Sequence, residues 1–233
     1  MEKEKLSPWN WLEKTLSIPT KRCKICFEEI KDYSLFYIVN KESQICEKCF
    51  AKFRPKFINF HIGNIDALSI YEYDENIREL LFKFKGCYDI ELKDVFLGRY
   101  INYLKVKYQG YYVVPLPSYH LDDEKRGFNH IQEIYNRLNL PMLKILVKIK
   151  NEKQAKKNKK ERMNSQNNFE ITDTNIVKSK KILIVDDVYT TGSSMNAAIN
   201  LVKQARPRKI SVLVIAKNIE GHKKWNIYYF VLA

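Results

Sequence analysis

No apolar run in this chain approaches the roughly 18 residues that a membrane-spanning helix requires. The N-terminus, MEKEKLSPWNWLEK, lacks the apolar stretch of an export signal. The expected location is therefore the cytoplasm, where thiols stay reduced. Acids are scarce, with 27 Asp and Glu against 41 Lys and Arg, a net charge of +14. That excess either favours polyanionic partners bound in a salt-dependent way or marks a lysine-rich solvated surface. The 15 Tyr, 12 Phe and 3 Trp add stacking surfaces for unpaired bases, although most such rings belong in cores. No internal repeat is evident beyond one pair of cysteine knuckles. The 233 residues suffice for one α/β domain plus a small module.

Cysteine is confined to five positions, and four of them are paired by spacing: Cys23-Lys-Ile-Cys26 and Cys46-Glu-Lys-Cys49. Two CxxC knuckles read as a four-thiolate zinc site. Within a knuckle the two intervening residues let both sulfurs face one metal, and two knuckles complete a tetrahedron. Four thiolates leave no open position, so Zn²⁺ here is expected to be structural. A disulfide pair is disfavoured by compartment, and an iron–sulfur cluster lacks a supporting motif. Between the knuckles, Ser34–Val39 reads as a strand, as in a zinc ribbon. Cys87 stands apart as a free thiol.

The run Lys181–Ser194, KILIVDDVYTTGSS, carries the most chemistry. Ile182–Val185 reads as a β-branched strand of a parallel sheet, buried on both faces. Asp186 and Asp187 are expected at its carboxyl end, where open α/β sheets place ligands. Thr190, Thr191, Gly192, Ser193 and Ser194 supply hydroxyls and a close backbone approach. The following helix offers unpaired N–H groups to an anion. Two acids beside a phosphate cradle suit a phosphorylated sugar accompanied by a divalent metal, whereas an ordinary helix cap needs only one acid. The run resembles the signature of type I phosphoribosyltransferases, which bind 5-phosphoribosyl-1-pyrophosphate (PRPP). The resemblance implies that Asp186 and Asp187 hold the ribose hydroxyls and that residues 190–194 hold the 5′-phosphate.

Elsewhere the periodicity predicts a strand over Ala67–Tyr73, a helix over Glu75–Lys85 closed by Gly86, and a second helix over Asp89–Lys107. Strands are expected at Tyr111–Leu116, Leu143–Ile149 and Ile210–Ala216. A helix is expected to open at Lys125-Arg126-Gly127-Phe128-Asn129-His130 and run through Leu138. This alternation argues for a parallel sheet covered by helices. Residues 151–167, NEKQAKKNKKERMNSQN, have no apolar face; they read as a disordered linker or as a mobile loop closing over an anionic leaving group. Tyr228–Leu232 reads as a final strand or a partner contact.

Together these pieces resemble the ComF family. The double CxxC module comes first, then LLFKFKG, VVPLP, KRGFNH, a Gln-then-Arg-x-Asn loop and VDDVYTTGSS. The implied architecture is a type I phosphoribosyltransferase-like, mostly parallel sheet flanked by helices, preceded by a small four-cysteine zinc ribbon. The expected division is an extension (1–20), the zinc ribbon (21–60), the phosphoribosyltransferase-like domain (61–217) and a tail (218–233). The resemblance also implies PRPP with Mg²⁺ as ligand, with Lys85 and Gly86 near its pyrophosphate. Gln154, Arg162 and Asn164 match the family's basic loop; Lys85, Gln154 and Arg162 are the catalytic candidates.

Arg126 and Asn129, with Lys156, Lys157, Lys159 and Lys160, are the expected phosphate or nucleic-acid contacts. Where other members carry Arg in that loop, these lysines keep the charge and lose the bidentate fork. The bland alternative for RGFN is a structural Arg and an Asn helix cap, and His130 reads as a surface or packing residue. Members of the family serve natural transformation, so single-stranded DNA and DNA-uptake proteins are the implied partners. Two functions stay open: a PRPP-binding module that handles incoming DNA, and an enzyme that transfers ribose 5-phosphate to an acceptor.

Overall fold

The computed structural model describes residues 22–30, 44–118, 120–148 and 169–219. Its centre is a five-stranded sheet built from β1 (Ile58–Ile62), β2 (Ile65–Glu72), β3 (Tyr111–Pro115), β6 (Lys181–Tyr189) and β7 (Lys209–Lys217). The spatial order is β1-β2-β7-β6-β3. Only the β1–β2 hairpin is antiparallel; β2–β7, β7–β6 and β6–β3 are parallel. A separate antiparallel pair joins β4 (Leu146–Lys148) and β5 (Phe169–Ile171).

The strands are apolar on consecutive residues because both faces are covered. Leu183, Val185, Leu213 and Ile215 pack on one side with Ile77, Leu80, Leu81 and Phe84 of α2 (Glu75–Lys85). Ile131, Ile134 and Tyr135 of α6 (His130–Tyr135) join the same core. Ile182, Ile184, Val212 and Val214 pack on the other side under Met195, Ala198, Ile199 and Val202 of α7 (Ser193–Gln204).

Helix α2 has the expected bounds, with Asp74 accepting from the Ile77 amide as N-cap. The single helix expected over Asp89–Lys107 is broken. A 3₁₀ turn (Ile90–Leu92), α3 (Lys93–Leu97), a second 3₁₀ turn (Gly98–Tyr100) and α4 (Ile101–Lys107) take its place. Nor does one helix run from Lys125 to Leu138. Arg126 closes α5 (His120–Arg126), Gly127 takes φ +79°, and α6 starts afresh at His130. A left-handed residue cannot continue a right-handed helix, so Gly127 is the break.

Strand β6 does not end at Val185 but runs through both acids to Tyr189. The strand expected over Leu143–Ile149 is shorter, and β1 and β5 had no counterpart in the sequence reading. The sheet begins at Ile58, so β1 straddles the division expected after residue 60. The expected strand Ser34–Val39, the basic loop 151–167 and the segment Tyr228–Leu232 lie outside the described residues, as does the extension 1–20.

Near the N-terminus, α1 (Glu47–Lys52) begins at its N-cap Cys46. It is fastened to the sheet domain by Arg99, whose guanidinium lies 3.5 Å from the Phe50 ring centroid and 2.9 Å from Glu47. Cys23, Ile45, Cys49 and Phe53 join the core cluster that lies under α2. The cysteine module therefore shares apolar packing with the α/β domain. Among the described residues no helix is long and apolar enough to cross a membrane.

Candidate functional site

The crevice follows from strand lengths. Strand β3 pairs with β6 only as far as Pro115 opposite Val185, where prolines at 115 and 117 and the chain's departure end the ladder. Beyond that point Asp186–Tyr189 keep only β7 as a strand neighbour, so the flank of β6 toward β3 opens at the carboxyl end of the sheet. Tyr135 of α6 fastens the base of this opening. Its hydroxyl lies 2.9 Å from the Asp186 carbonyl and 3.1 Å from that of Leu213.

The two acids have opposite environments. Asp187 is buried, and Lys85 Nζ donates to its Oδ2 at 2.6 Å while Oδ1 accepts from the Val188 amide at 2.7 Å. Burial alone would raise its pKa, but the Lys85 ammonium and the His130 ring hold it well below the usual carboxylate range. Asp186 is half-buried, and its Oδ1 accepts from the Asp187 amide. Burial, then the neighbouring Asp187 charge, pushes Asp186 above that range. Burial likewise works against charge on Lys85, but Asp187 outweighs it and raises the ammonium above the usual lysine value. One acid is thus a committed anion and the other is a carboxyl whose ionisation the fold resists.

Beyond the acids, the backbone turns through Thr190, Thr191 and Gly192 into α7. Gly192 takes φ +74° and lies beneath the Tyr189 ring. A Cβ there would stand 2.3 Å from the Tyr189 hydroxyl, so only Gly fits. Tyr189 is itself stacked on Phe60 at 4.9 Å. No side chain caps the start of α7. The Ser193 amide lies 3.5 Å from Thr191 Oγ1, and Thr190, Thr191, Ser193 and Ser194 together give the turn the composition of an anion cradle.

Of the residues singled out from the sequence, Lys85, Asp186, Asp187 and the 190–194 loop therefore meet at one end of the sheet. Gly86 closes α2 beside Lys85, where a Cβ would stand 2.8 Å from the Phe82 backbone carbonyl. Arg126 and Asn129 are nearby but engaged inside the fold. Arg126 donates to Asp123 at 2.8 Å and to the Lys85 carbonyl at 3.0 Å, and its side chain is buried. Asn129 caps α6 through its carbonyl oxygen, while its amide donates to Ser118 and Asp123. The structural alternative weighed for RGFN thus describes these two side chains. Gln154, Arg162 and the four loop lysines lie outside the described residues.

Sequence reasoning missed His130, which is neither a surface residue nor inert packing: it is buried with Nε2 3.4 Å from Asp187 Oδ2. It also missed Asp123 and Ser118, which hold Asn129. A usable signal was present for one pair, because Asp123 and Arg126 are three residues apart on α5.

At the other end of the chain, the sulfurs of Cys23, Cys26, Cys46 and Cys49 all lie within 4.8 Å of one another. The Cys26 and Cys46 sulfurs are 3.7 Å apart. Tetrahedral zinc with bonds of ~2.3 Å needs sulfur separations of ~3.8 Å, so the four residues fit such an ion and can hold it. Replacing Cys23 by Ser is expected to cut bound zinc at least tenfold under chelator competition and to lower the melting temperature, because Ile45 and Phe53 of this module are core residues. Zinc retained at one equivalent in that variant would refute the four-thiolate site.

Comparison with known proteins adds the ancestry. Residues 124–233 match the phosphoribosyl transferase domain. Competence protein ComFC of Bacillus subtilis is 30% identical over 153 residues, 64% of this chain and 63% of that protein. ComFC of Streptococcus pneumoniae is 23% identical over 221 residues, 84% of this chain and all of that protein. The chain is similar to these ComF competence proteins. Competence protein F of Haemophilus influenzae is a further relative, 28% identical over 113 residues, 45% of this chain and 49% of that one. The chain thus spans just under two thirds of the Bacillus ComF protein's length and the whole of the Streptococcus one's.

Proposed function

We propose that the chain binds PRPP with Mg²⁺ at the crevice above β6 and serves natural transformation as a ComF-type protein, handling incoming single-stranded DNA in the cytoplasm. The observation that carries this reading is the meeting of a committed carboxylate, a second acid and an uncapped helix start behind a buried Gly192. The acids would accept from the ribose hydroxyls and the 190–194 loop would hold the 5′-phosphate. Lys85 would reach the pyrophosphate, beside Gly86. Mg²⁺ binds through oxygen and commonly through substrate phosphates, where it would neutralise pyrophosphate charge. Gln154 and Arg162 belong to the same proposal as groups closing over the site. The four sulfurs would hold Zn²⁺ as a structural ion. The division of the chain at 20, 60 and 217 remains part of this reading, with β1 counted in the phosphoribosyltransferase-like domain.

The enzyme alternative uses the same pocket. The bond from ribose C1 to pyrophosphate would break with its electron pair leaving on pyrophosphate, and an acceptor atom would bond to C1. Monitoring pyrophosphate in PRPP and Mg²⁺, with and without single-stranded DNA, separates the two. Release in step with DNA modification would make the chain a transferase. Saturable binding without release favours the DNA-handling module.

The loop lysines give an independent test. Replacing Lys156, Lys157, Lys159 and Lys160 together by Gln is expected to weaken single-stranded DNA binding. The log–log salt slope should flatten by up to roughly 3, since each phosphate contact contributes about 0.7. An unchanged slope would put the DNA surface elsewhere.

A further inference from the structure

Asp187 has two partners on one oxygen. Lys85 Nζ is 2.6 Å from Oδ2 and His130 Nε2 is 3.4 Å from the same atom. On the far side of the imidazole, Arg126 Nη1 lies 3.0 Å from Nδ1. A guanidinium only donates, so Nδ1 must accept and the ring's hydrogen sits on Nε2, facing Asp187. Arg126 is fixed by the Asp123 carboxylate and by the Lys85 carbonyl, and Asp123 is fixed by Ser118 and Asn129. This assembly is deeper than the lysine it accompanies: the side chains of Arg126 and His130 are 8% and 10% exposed, and that of Lys85 is 39% exposed.

We infer that His130 is a positioning residue that keeps Asp187 supplied with a hydrogen bond when Lys85 leaves that carboxylate for the pyrophosphate of a bound ligand. The inference rests on the PRPP reading above. Pyrophosphate carries more negative charge than one carboxylate and draws an exposed ammonium toward it. A ribose hydroxyl replaces that ammonium by a neutral donor only, so without a further donor at Oδ2 the departure of Lys85 would leave a buried anion under-compensated, which is costly. His130 supplies that donor, and its present 3.4 Å separation is long because Lys85 already occupies the oxygen. Arg126 grips the Lys85 carbonyl, so the backbone stays in place while the side chain swings. The RGFNH motif thereby ties the LFKFKG segment to the acids of β6.

The test compares His130→Leu and His130→Gln in the full, zinc-loaded chain by calorimetry with PRPP and Mg²⁺. Gln can accept from Arg126 through its oxygen and donate to Asp187 through its nitrogen; Leu fills the space and does neither. PRPP affinity is expected to fall about 10- to 100-fold with Leu, the loss of a hydrogen bond to a charged group, and to recover to within about threefold with Gln. Leu binding as well as wild type, or Gln binding as poorly as Leu, overturns the inference. Nitrogen NMR of ¹⁵N-histidine-labelled wild type provides a check that needs no variant. Nδ1 should be bare and Nε2 protonated, with and without ligand; a hydrogen on Nδ1 overturns the assignment. Wild-type protein that fails to bind PRPP removes the PRPP reading itself, and the exchange with it. Binding that is indifferent to position 130 removes the exchange alone.

Discussion

Asp187→Asn is expected to abolish PRPP binding and to destabilise the fold, while Asp186→Asn is expected to abolish binding and stabilise it. The contrast follows from the two environments. Asp187 takes the Lys85 ammonium at 2.6 Å and an amide at 2.7 Å, so its anion stabilises the native state. A neutral amide there leaves Lys85 without its counter-charge. Lys85 is 39% exposed and can recover water, which holds the cost to about 1–3 kcal/mol. Asp186 is the reverse, because its folded form prefers the proton. A raised pKa means that the native state binds more protons than the unfolded chain. Stability then falls as pH climbs from about 4 toward the raised value. Asp187, with its depressed pKa, contributes stability that is fully present across that window and is lost only in stronger acid.

Asp186→Asn therefore flattens the decline. It should raise stability near pH 7 by about 1 kcal/mol, roughly 2–4 °C in a chain of this size. Thermal melts from pH 4 to 8 of wild type and both variants test the pattern. If both substitutions shift the melting temperature in the same direction at pH 7, the assignment of opposite environments is wrong. An acid that costs stability where it stands is what a binding residue, rather than a structural one, looks like.

Gly192→Ala is expected to have the second large effect. Alanine at φ +74° is strained by about 1 kcal/mol, and its Cβ would press within 2.3 Å of the Tyr189 hydroxyl. Tyr189 is stacked on Phe60, so the ring yields only by disturbing that contact or by pushing the loop outward. Displacement of the 190–194 backbone should lower PRPP affinity at least tenfold, more than strain alone would lower stability. Removing the obstruction with Tyr189→Ala in the same chain should restore part of the binding. Full PRPP affinity in Gly192→Ala would show that this turn does not cradle the phosphate.

Much of the fold was legible because burial on both faces leaves a plain trace. The largely apolar stretches Leu68–Ile70, Ile182–Val185 and Ile210–Ala216, interrupted only by the buried Ser69 and Ser211, are the middle of the sheet. Helix α2 shows its cap, its apolar face and its closing glycine within a dozen residues. What failed was local. INFHI of β1 mixes polar and apolar residues on an edge strand and carries little signal. Residues 89–107 keep a helical apolar rhythm, but the chain tightens into a 3₁₀ turn at Gly98–Tyr100, which periodicity does not register. Gly127 was seen as part of a motif rather than as a helix stop.

The acids and the TTGSS loop were legible because their chemistry is contiguous. His130 was not, since its carboxylate partner comes from a distant strand that only the fold brings to it. The internal engagement of Arg126 was hidden for the same reason: its partners include a backbone carbonyl that no side-chain pattern reveals.

The central claim is that the crevice above β6 binds PRPP, and calorimetric titration of the zinc-loaded chain with PRPP in Mg²⁺ tests it most directly. The account predicts saturable binding at one equivalent, lost on replacing Asp187 by Asn and weakened by excess pyrophosphate. Absence of saturable binding by the folded wild-type protein, or binding indifferent to Asp187, would contradict it.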